Sequence, residues 1–400
     1  MLKGKKILIG ITGSIAAYKI PYLIRLLIRE GAEVQVILTP NARDFVTPLT
    51  LSTLSKRPVL TETFSQVDGT WNSHVDMGIW ADLMLIAPAS AATLSKLATG
   101  QADNLLVTTY LSAKCPVFFA PAMDLDMYKH PTTKQNIQTL VSFGHHLIEP
   151  QVGELASGLS GAGRMEEPEK MLEIITDYFK KKSEFSDKKI LVTAGPTYEA
   201  IDPVRFIGNY SSGLMGFEIA REAAERGAKV TLICGPTHLS CSTPGIKRVD
   251  VVSALEMSEV CNEVFGETDI TIMAAAVADF TPVNVFESKI KKDASFSSIQ
   301  LKPTEDILSG LGKRKKESQL LVGFALETNS ELENARKKLE NKNLDLIVLN
   351  SLNDEGAGFG VSTNKITILD KGGRITSYPL KPKNEVATDI MDRLAEFFDK

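Results

Sequence analysis

Apolar residues along the chain gather into short runs bounded by glycine, proline and charged residues. Two of these runs are near-copies, KKILIGITG at 5–13 and KKILVTAGP at 188–196. Each predicts a β-branched, buried strand ending in a glycine-containing turn, followed by a helical stretch. A second strand then carries a shared signature, Gly31-Ala32-Glu33-Val34 running to Pro40 and Gly227-Ala228-Lys229-Val230 running to Pro236, with nine residues from glycine to proline in both. The lysine pairs are offset by 183 and the glycines by 196, so the second copy holds 13 extra residues in its first crossover. They fall within GPTYEAIDPVRFIGNYSSG at 195–213, which reads as a polar loop leading into a helix near 215–226. Further strands are expected near 83–87, 117–120, 270–274, 320–324 and 344–349. Strands alternating with helices imply right-handed βαβ units. The predicted fold is therefore α/β, two doubly wound, Rossmann/flavodoxin-like parallel-sheet domains in tandem.

The polar segment FKKKSEFSD at 179–187 follows a helix that starts near Pro168, which divides the chain into 1–182 and 188–400. A length of 400 residues suits two domains. With 43% hydrophobic and 24% charged residues, both have material for a core. The net charge is −4, spread along the chain, which lacks the footprint of a nucleic-acid binder. The basic and apolar start is broken by Gly10, Gly13 and Ser14, which argues against a signal peptide, and no run is long enough for a membrane span. Cysteines at 115, 234, 241 and 261 form neither a disulfide framework nor a paired zinc pattern, so a reducing cytoplasm is expected.

In doubly wound sheets ligands bind beyond the carboxyl ends of strands. The loop after the first strand, Gly10 to Tyr18, offers backbone amides and a hydroxyl for a phosphate but falls short of G-x-G-x-x-G. The second strand ends at Leu38-Thr39-Pro40 without an acid for a ribose, which favours a mononucleotide over a nicotinamide dinucleotide. A nicotinamide-dependent reductase is thus the weaker of two readings.

With GITGSIAAYK, the stretches SHVDMGIWAD at 73–82, APASAATLSKLATGQADNLL at 87–106 and PAMDLDMYKHP at 121–131 resemble the flavin-containing cysteine decarboxylases, whose motifs read PASANT and PxMNxxMW. The resemblance implies FMN held at its phosphate and ribityl chain by Gly13, Ser14, Ile15 and Thr39, with Ser90, Ala91, Ala92 and Thr93 facing the ring and His74 in the active site. It also implies oxidative decarboxylation of a cysteine amide. Two positions depart from the family. Asp124 stands where the family has asparagine, and the lid ACGxxGxGRM here reads ASGLSGAGRM at 156–165, leaving Ser157 or Ser160 in place of a cysteine. An ionised Asp124 at about 4 Å from a substrate carboxylate would be repelled by about 4 kcal/mol at an effective dielectric of about 20. That is about three pKa units, so Asp124 is expected to be protonated and to donate to the carboxylate. A serine hydroxyl is a poorer proton donor than a thiol.

The second half lacks GxxxxGK[ST] and is not a P-loop enzyme. GPTYEAIDPVRFIGNYSSGLMG, AAAVAD at 274–279, KIKK at 289–292 and VGFALET at 322–328 are similar to phosphopantothenoylcysteine synthetase, and the domain order matches the bifunctional bacterial proteins of coenzyme A biosynthesis. The resemblance implies CTP-dependent activation of 4′-phosphopantothenate, attack by the cysteine amine and release of CMP. Asn209 and Lys289 match catalytic positions, and Ala275, Asp279, Lys289, Phe324, Lys338 and Lys342 match CTP-binding ones. Magnesium would arrive on the triphosphate, without dedicated metal ligands. It further implies a homo-oligomer, a dodecamer built from decarboxylase trimers and synthetase dimers. The competing reading keeps the CTP ligase and treats the flavin domain as a scaffold or as a source of an altered product.

Overall fold

The computed structural model describes residues 2–64, 69, 71–291, 298–327, 330–351, 356, 358 and 360–398. Lys292 of the KIKK run and Thr328 lie outside these residues. The chain folds as two units, residues 1–180 and 181–400.

In the first unit β1 (Lys6–Ile11), β2 (Glu33–Leu38), β3 (Leu83–Ala89), β4 (Val117–Pro121) and β5 (His146–Leu147) form a parallel sheet of order β2-β1-β3-β4-β5. This is the flavodoxin-like order, with its reversal between β1 and β3. Alternation along β1 explains why the run is apolar throughout. Ile7, Ile9 and Ile11 face one core with the helices Ile20–Arg29 and Pro168–Lys182, while Leu8 faces the other with the helices Ala91–Thr99 and Leu105–Ser112. A separate hairpin of β6 (Gln151–Glu154) and β7 (Ser160–Arg164) carries the serine-bearing lid sequence.

The second unit is built on β8 (Lys189–Ala194), with β11 (Lys229–Cys234) and β12 (Ile246–Asp250) on one side and β13 (Ile270–Met273), β16 (Leu320–Glu327) and β17 (Leu346–Ser351) on the other. These six run parallel in the Rossmann order, reversing between β8 and β13. The sheet then departs from the expected all-parallel form. An antiparallel hairpin, β19 (Ile366–Asp370) and β20 (Ile375–Ser377), extends the edge beyond β17, because the Asp370–Arg374 connection closes through Gly373 at φ 87.

The inserted crossover also differs from a plain polar loop. It forms the hairpin β9 (Tyr198–Ala200) and β10 (Phe206–Gly208), in which the Tyr198 and Phe206 rings stack with centroids 3.7 Å apart. Pro203 and the turn formers around it mask that pairing in the sequence. A second small hairpin joins β14 (Phe280–Pro282) to β15 (Leu301–Pro303). No helix among the described residues is long and apolar enough to cross a membrane.

Asp345, just before β17, ties this edge together. Its side chain is 1% exposed, accepts from the Leu321 amide at 2.8 Å and pairs with Lys315 at 2.8 Å and Lys371 at 2.5 Å. Replacing it with alanine strands the buried Lys315 ammonium and an amide. We expect Asp345→Ala to cost about 3–5 kcal/mol, the range for breaking a buried pair. Denaturant unfolding of the second unit, followed by circular dichroism, checks this.

Candidate active sites

In the first unit the reversal between β1 and β3 is bridged by Thr12. Its buried hydroxyl donates to the Pro88 carbonyl at 2.6 Å and accepts from the Ser90 amide at 3.0 Å. The two loops thus form one edge of a cavity of about 580 Å³ lined by Gly13, Ser14, Ile15, Ser90, Ala91 and Asp124. Such a volume is ordinary for a cofactor-sized ligand. Ser90 caps the helix Ala91–Thr99, accepting from Thr93 N, and its hydroxyl also meets Thr93 Oγ1 at 3.1 Å. Apolar Ile15, Met123 and Met127 line the cavity beside these polar ends, a donor set that fits a flat ring carrying a phosphate-bearing tail.

The lid hairpin supplies another wall. Ser157 lines the cavity, whereas Ser160, at the start of β7, does not. The hairpin is locked at its root, where Gly163 adopts φ 144 and a Cβ would meet the Met123 carbonyl oxygen at 2.4 Å. Met123 N donates to that glycine's carbonyl at 3.1 Å, which places Asp124 beside it in the wall, its side chain making no capping bond to the helix Leu125–Lys129. Lys19, missed as a site residue although it ends the quoted GITGSIAAYK, is 5% exposed and reaches across to Met165 O at 2.7 Å and Glu167 at 2.9 Å. Arg164 joins the same carboxylate at 2.8 Å. The Lys19 bond, more than Arg164, holds the Glu167 carboxyl below its ordinary value.

Several expected residues stand outside the lining. Thr39 donates its hydroxyl to Ile11 O at 3.2 Å, and neither it nor Ala92 nor Thr93 reaches the cavity wall. His74 opens the helix His74–Trp80, with its ring edge-on to Trp71 at 6.0 Å and its Nδ1 buried without a hydrogen-bond partner. It too is not part of this wall. None of the four cysteines lines the cavity; burial pushes Cys115 up to about 11 and Cys261 up to about 12.

The second unit repeats the arrangement. Thr193 and Thr197 are fully buried, and their hydroxyls accept from Ala275 N at 3.1 Å and Ala278 N at 2.9 Å, stitching the loop after β8 to that after β13. A cavity of about 370 Å³ opens there and is lined by Asn209, Ala275, Asp279, Phe324 and Lys342. Asn209 spends both amide hydrogens on the carbonyls of Ala276 at 3.0 Å and Val277 at 3.2 Å, so it braces this loop. Lys342 pairs with Asp306 at 2.8 Å. Burial, the largest single effect, raises the Asp306 pKa, but the bond from Lys342, the Ser309 amide and the Lys342 and Lys313 charges together outweigh it and leave the carboxyl below its ordinary value. Glu305 and Asp306 form an acidic part of the wall that sequence reasoning did not single out, because neither belongs to a quoted motif. Lys338, on the helix Glu331–Asn341, is not part of that wall. Among the described residues no group of three or more His, Cys, Asp or Glu is placed to hold a metal ion.

Lys289 is exposed, on the segment after β14, and it too lies outside the wall. Its neighbour is held by Asp202, whose carboxylate, 3% exposed, accepts from Val204 N at 2.8 Å, Arg205 N at 2.9 Å and Ile290 N at 3.2 Å. Arg205 pairs with Asp202 and donates to Ile290 O at 3.0 Å. The inserted hairpin therefore anchors the lysine-bearing segment.

Residues 1–180 match the family described as Flavoprotein, and residues 185–398 match DFP, the DNA/pantothenate metabolism flavoprotein C-terminal domain. The chain is 56% identical over 353 residues to a cysteine/cysteine sulfinic acid decarboxylase from an unknown prokaryotic organism, covering 87% of this chain and 98% of that one. It is 45% identical over 397 residues to the coenzyme A biosynthesis bifunctional protein CoaBC of Bacillus subtilis (strain 168), covering 99% and 98% respectively. Among solved structures, the C-terminal domain of a CoaBC is 39% identical with a TM-score of 0.47, covering 54% of this chain and 98% of that one.

The Arg205 guanidinium holds the Asp202 carboxyl well below the usual carboxylate range, an effect that burial opposes and the Val204 and Ile290 amides reinforce. A depressed folded pKa contributes stability above the unfolded value of about 4, and this is lost as the pH falls toward the folded one. Thermal transitions of the second unit between pH 7 and pH 3 should therefore fall less steeply for Asp202→Asn than for the unaltered protein. A slope unchanged by the substitution would remove Asp202 as the anchor.

Proposed function

Because the chain belongs to the family of bifunctional coenzyme A biosynthesis proteins, matching both of its domains and their order, we propose that it joins 4′-phosphopantothenate to cysteine with CTP and decarboxylates the product to 4′-phosphopantetheine. The observation that carries this reading is the presence of a separate, threonine-stitched cavity at the reversal of each sheet.

In the first cavity FMN, when bound, supplies a two-electron acceptor for the carbon that bears sulfur. Gly13, Ser14 and Ile15 would hold its phosphate and ribityl chain, and Ser90 and Ala91 would face its ring, all of them lining the cavity. Asp124, protonated, donates to the substrate carboxylate, and the hairpin excludes water with Ser157 turned to the substrate side. His74 lies outside the wall of its own chain, which supports a homo-oligomer in which another copy supplies the imidazole. Trimeric packing of this domain and dimeric packing of the other would give a dodecamer, working in the cytoplasm.

In the second cavity Ala275, Asp279 and Phe324 receive the nucleotide, with Lys338 and Lys342 near its phosphates and magnesium carried by the triphosphate. Lys289, on the segment anchored by Asp202, stabilises the charge that develops at the α-phosphate as the acyl-cytidylate forms. Asn209 keeps the Ala276–Val277 carbonyls in place.

A second reading concerns the first domain. Ser157 stands where the family's lid has a thiol, and the 56% identical relative is named for decarboxylating cysteine and cysteine sulfinic acid. The same cavity would then serve a smaller acid, or release an altered product, beside an active ligase.

Incubation with 4′-phosphopantothenate, cysteine and CTP, with mass analysis of products, should yield CMP and 4′-phosphopantetheine. Carbon dioxide release from phosphopantothenoylcysteine, cysteine and cysteine sulfinic acid, assayed side by side, separates the two readings. Lys289→Gln should abolish CMP formation and leave the flavin content unchanged, and His74→Asn should do the reverse for decarboxylation. Mixing His74→Asn with Asp124→Ala subunits should restore part of the decarboxylase activity if each site draws its imidazole from another copy. No recovery in mixed oligomers would place the imidazole within one chain.

A further inference from the structure

Asp279 lines the ligation cavity and its side chain is exposed, so the direction of its carboxylate is set by the backbone that carries it. That backbone is held at the preceding residue. Ala278 is 4% exposed, and both its amide and its carbonyl end on threonine hydroxyls from other parts of the chain. The amide donates to Thr197 Oγ1 at 2.9 Å, and the carbonyl accepts from Thr304 Oγ1 at 2.6 Å. Thr304 then makes a second bond, its own amide donating to the Asp279 carbonyl at 3.0 Å. A buried carbonyl needs a partner, and at Ala278 a side chain takes the place of a strand neighbour.

The position of Thr304 in the chain gives these bonds their reach. It directly follows β15, which pairs antiparallel with β14 in the register Phe280 to Pro303, so Asp279 and Thr304 form the root of that hairpin. The chain between them carries Lys289. Two residues beyond Thr304, Asp306 caps the helix Ile307–Arg314 and pairs with Lys342 at 2.8 Å. Thr304 also lines the cavity itself. The wall bearing Asp279, the excursion bearing Lys289 and the segment that holds Lys342 therefore meet at one residue. Thr197, fully buried in the loop after β8, reaches Ala278 at its amide and leaves the carbonyl to Thr304.

We propose that Thr304 is a positioning residue for ligation, locking the Ala278–Asp279 peptide so that the Asp279 carboxylate meets the nucleotide. An ionised carboxylate only accepts hydrogen bonds, so it faces the donor groups of the nucleoside and not the phosphates. Without the Thr304 hydroxyl the Ala278 carbonyl loses its partner and the peptide carrying Asp279 loosens, while Thr304 N still closes the hairpin root. The defect therefore falls on nucleotide affinity and spares the other two substrates. The inference rests on the ligation reading for the identity of that nucleotide.

Thr304→Val keeps the shape of the side chain and removes the hydroxyl, whereas Thr304→Ser keeps the hydroxyl. CMP formation by the full chain, with each substrate varied in turn, should show KM for CTP raised about fivefold or more in Thr304→Val, with kcat and the KM values for 4′-phosphopantothenate and cysteine within about twofold. Thr304→Ser should return KM for CTP to within about twofold of the unaltered protein. Calorimetric titration with CTP, ATP, CMP and pyrophosphate gives a readout independent of turnover, in which the loss appears with CTP and CMP and is absent with pyrophosphate. If ATP and not CTP binds the unaltered protein, and that binding weakens in Thr304→Val, the inference stands and the CTP reading falls. Binding of no nucleotide by the unaltered protein overturns both. Where CTP binds, an unchanged KM in Thr304→Val, a loss shared equally by CMP and pyrophosphate, or no recovery in Thr304→Ser overturns the inference alone. So does an equal loss for all three substrates that follows a lowered thermal transition, since Thr304 would then serve only the fold.

Discussion

A buried threonine hydroxyl across the reversal of strand order is the interaction on which both sites depend. Strands β1 and β8 are apolar on both faces, so helices cover both sides of each sheet and the chain leaves these strands in opposite directions. The loops beyond them would otherwise splay apart, exposing backbone amides with no partner. Thr12 in one sheet, and Thr193 with Thr197 in the other, satisfy those amides and hold the loops at a fixed separation. A hydroxyl suits this task because it donates and accepts in the same small volume. What differs between the sites is the material laid over the crevice. In the first unit it is a glycine-rich hairpin with a serine at its turn, and in the second a hairpin that grips a lysine-bearing segment.

The parts of this arrangement that were legible in the sequence are those dictated by local pattern. The duplicated KKIL strands and the Gly-Ala-x-Val signatures located both sheets, because a fully buried strand needs consecutive apolar residues whatever its neighbours do. Loop residues at the strand ends, such as Ser14, Ser90 and Ala275, were likewise legible, since the doubly wound fold puts its crevice there. The β9–β10 hairpin was not, because its stability comes from one stacked pair, Tyr198 on Phe206, and from Asp202 collecting amides of Val204, Arg205 and the distant Ile290. Nothing local marks Ile290 as a partner of Asp202. Lys19 and Lys383 escaped for a related reason. A lysine in a sequence reads as solvated, and only the tertiary structure reveals that each is 5% exposed.

Those two lysines divide the electrostatic work differently. Lys19 is matched by Glu167, and Arg164 shares the same carboxylate, so the charge at the lid root is largely settled before any ligand arrives. This suits a strut, which has to hold the β6–β7 hairpin in place whether or not the cavity is filled. Lys383 has carbonyl dipoles in place of a carboxylate, and dipoles compensate a buried ammonium less completely than a full charge.

Asp124 poses the opposite problem, an acidic group in a cavity whose expected substrate is also an acid. Lys19 and Arg164 line the same cavity but are already engaged by Glu167, so neither is free to neutralise Asp124 without releasing the lid root. A second anion entering the site would be met by repulsion of several kcal/mol, unless one of the two carboxyls takes a proton. A protonated carboxyl at this position would donate a hydrogen bond, as an asparagine amide would. A substrate with a stronger acid in place of the carboxylate could not take that shared proton, so the burden of protonation would fall entirely on Asp124. Selection between acids in this cavity would therefore turn on the wall that Asp124, Lys19 and Arg164 share, while the threonine-stitched loops at its edge stay the same.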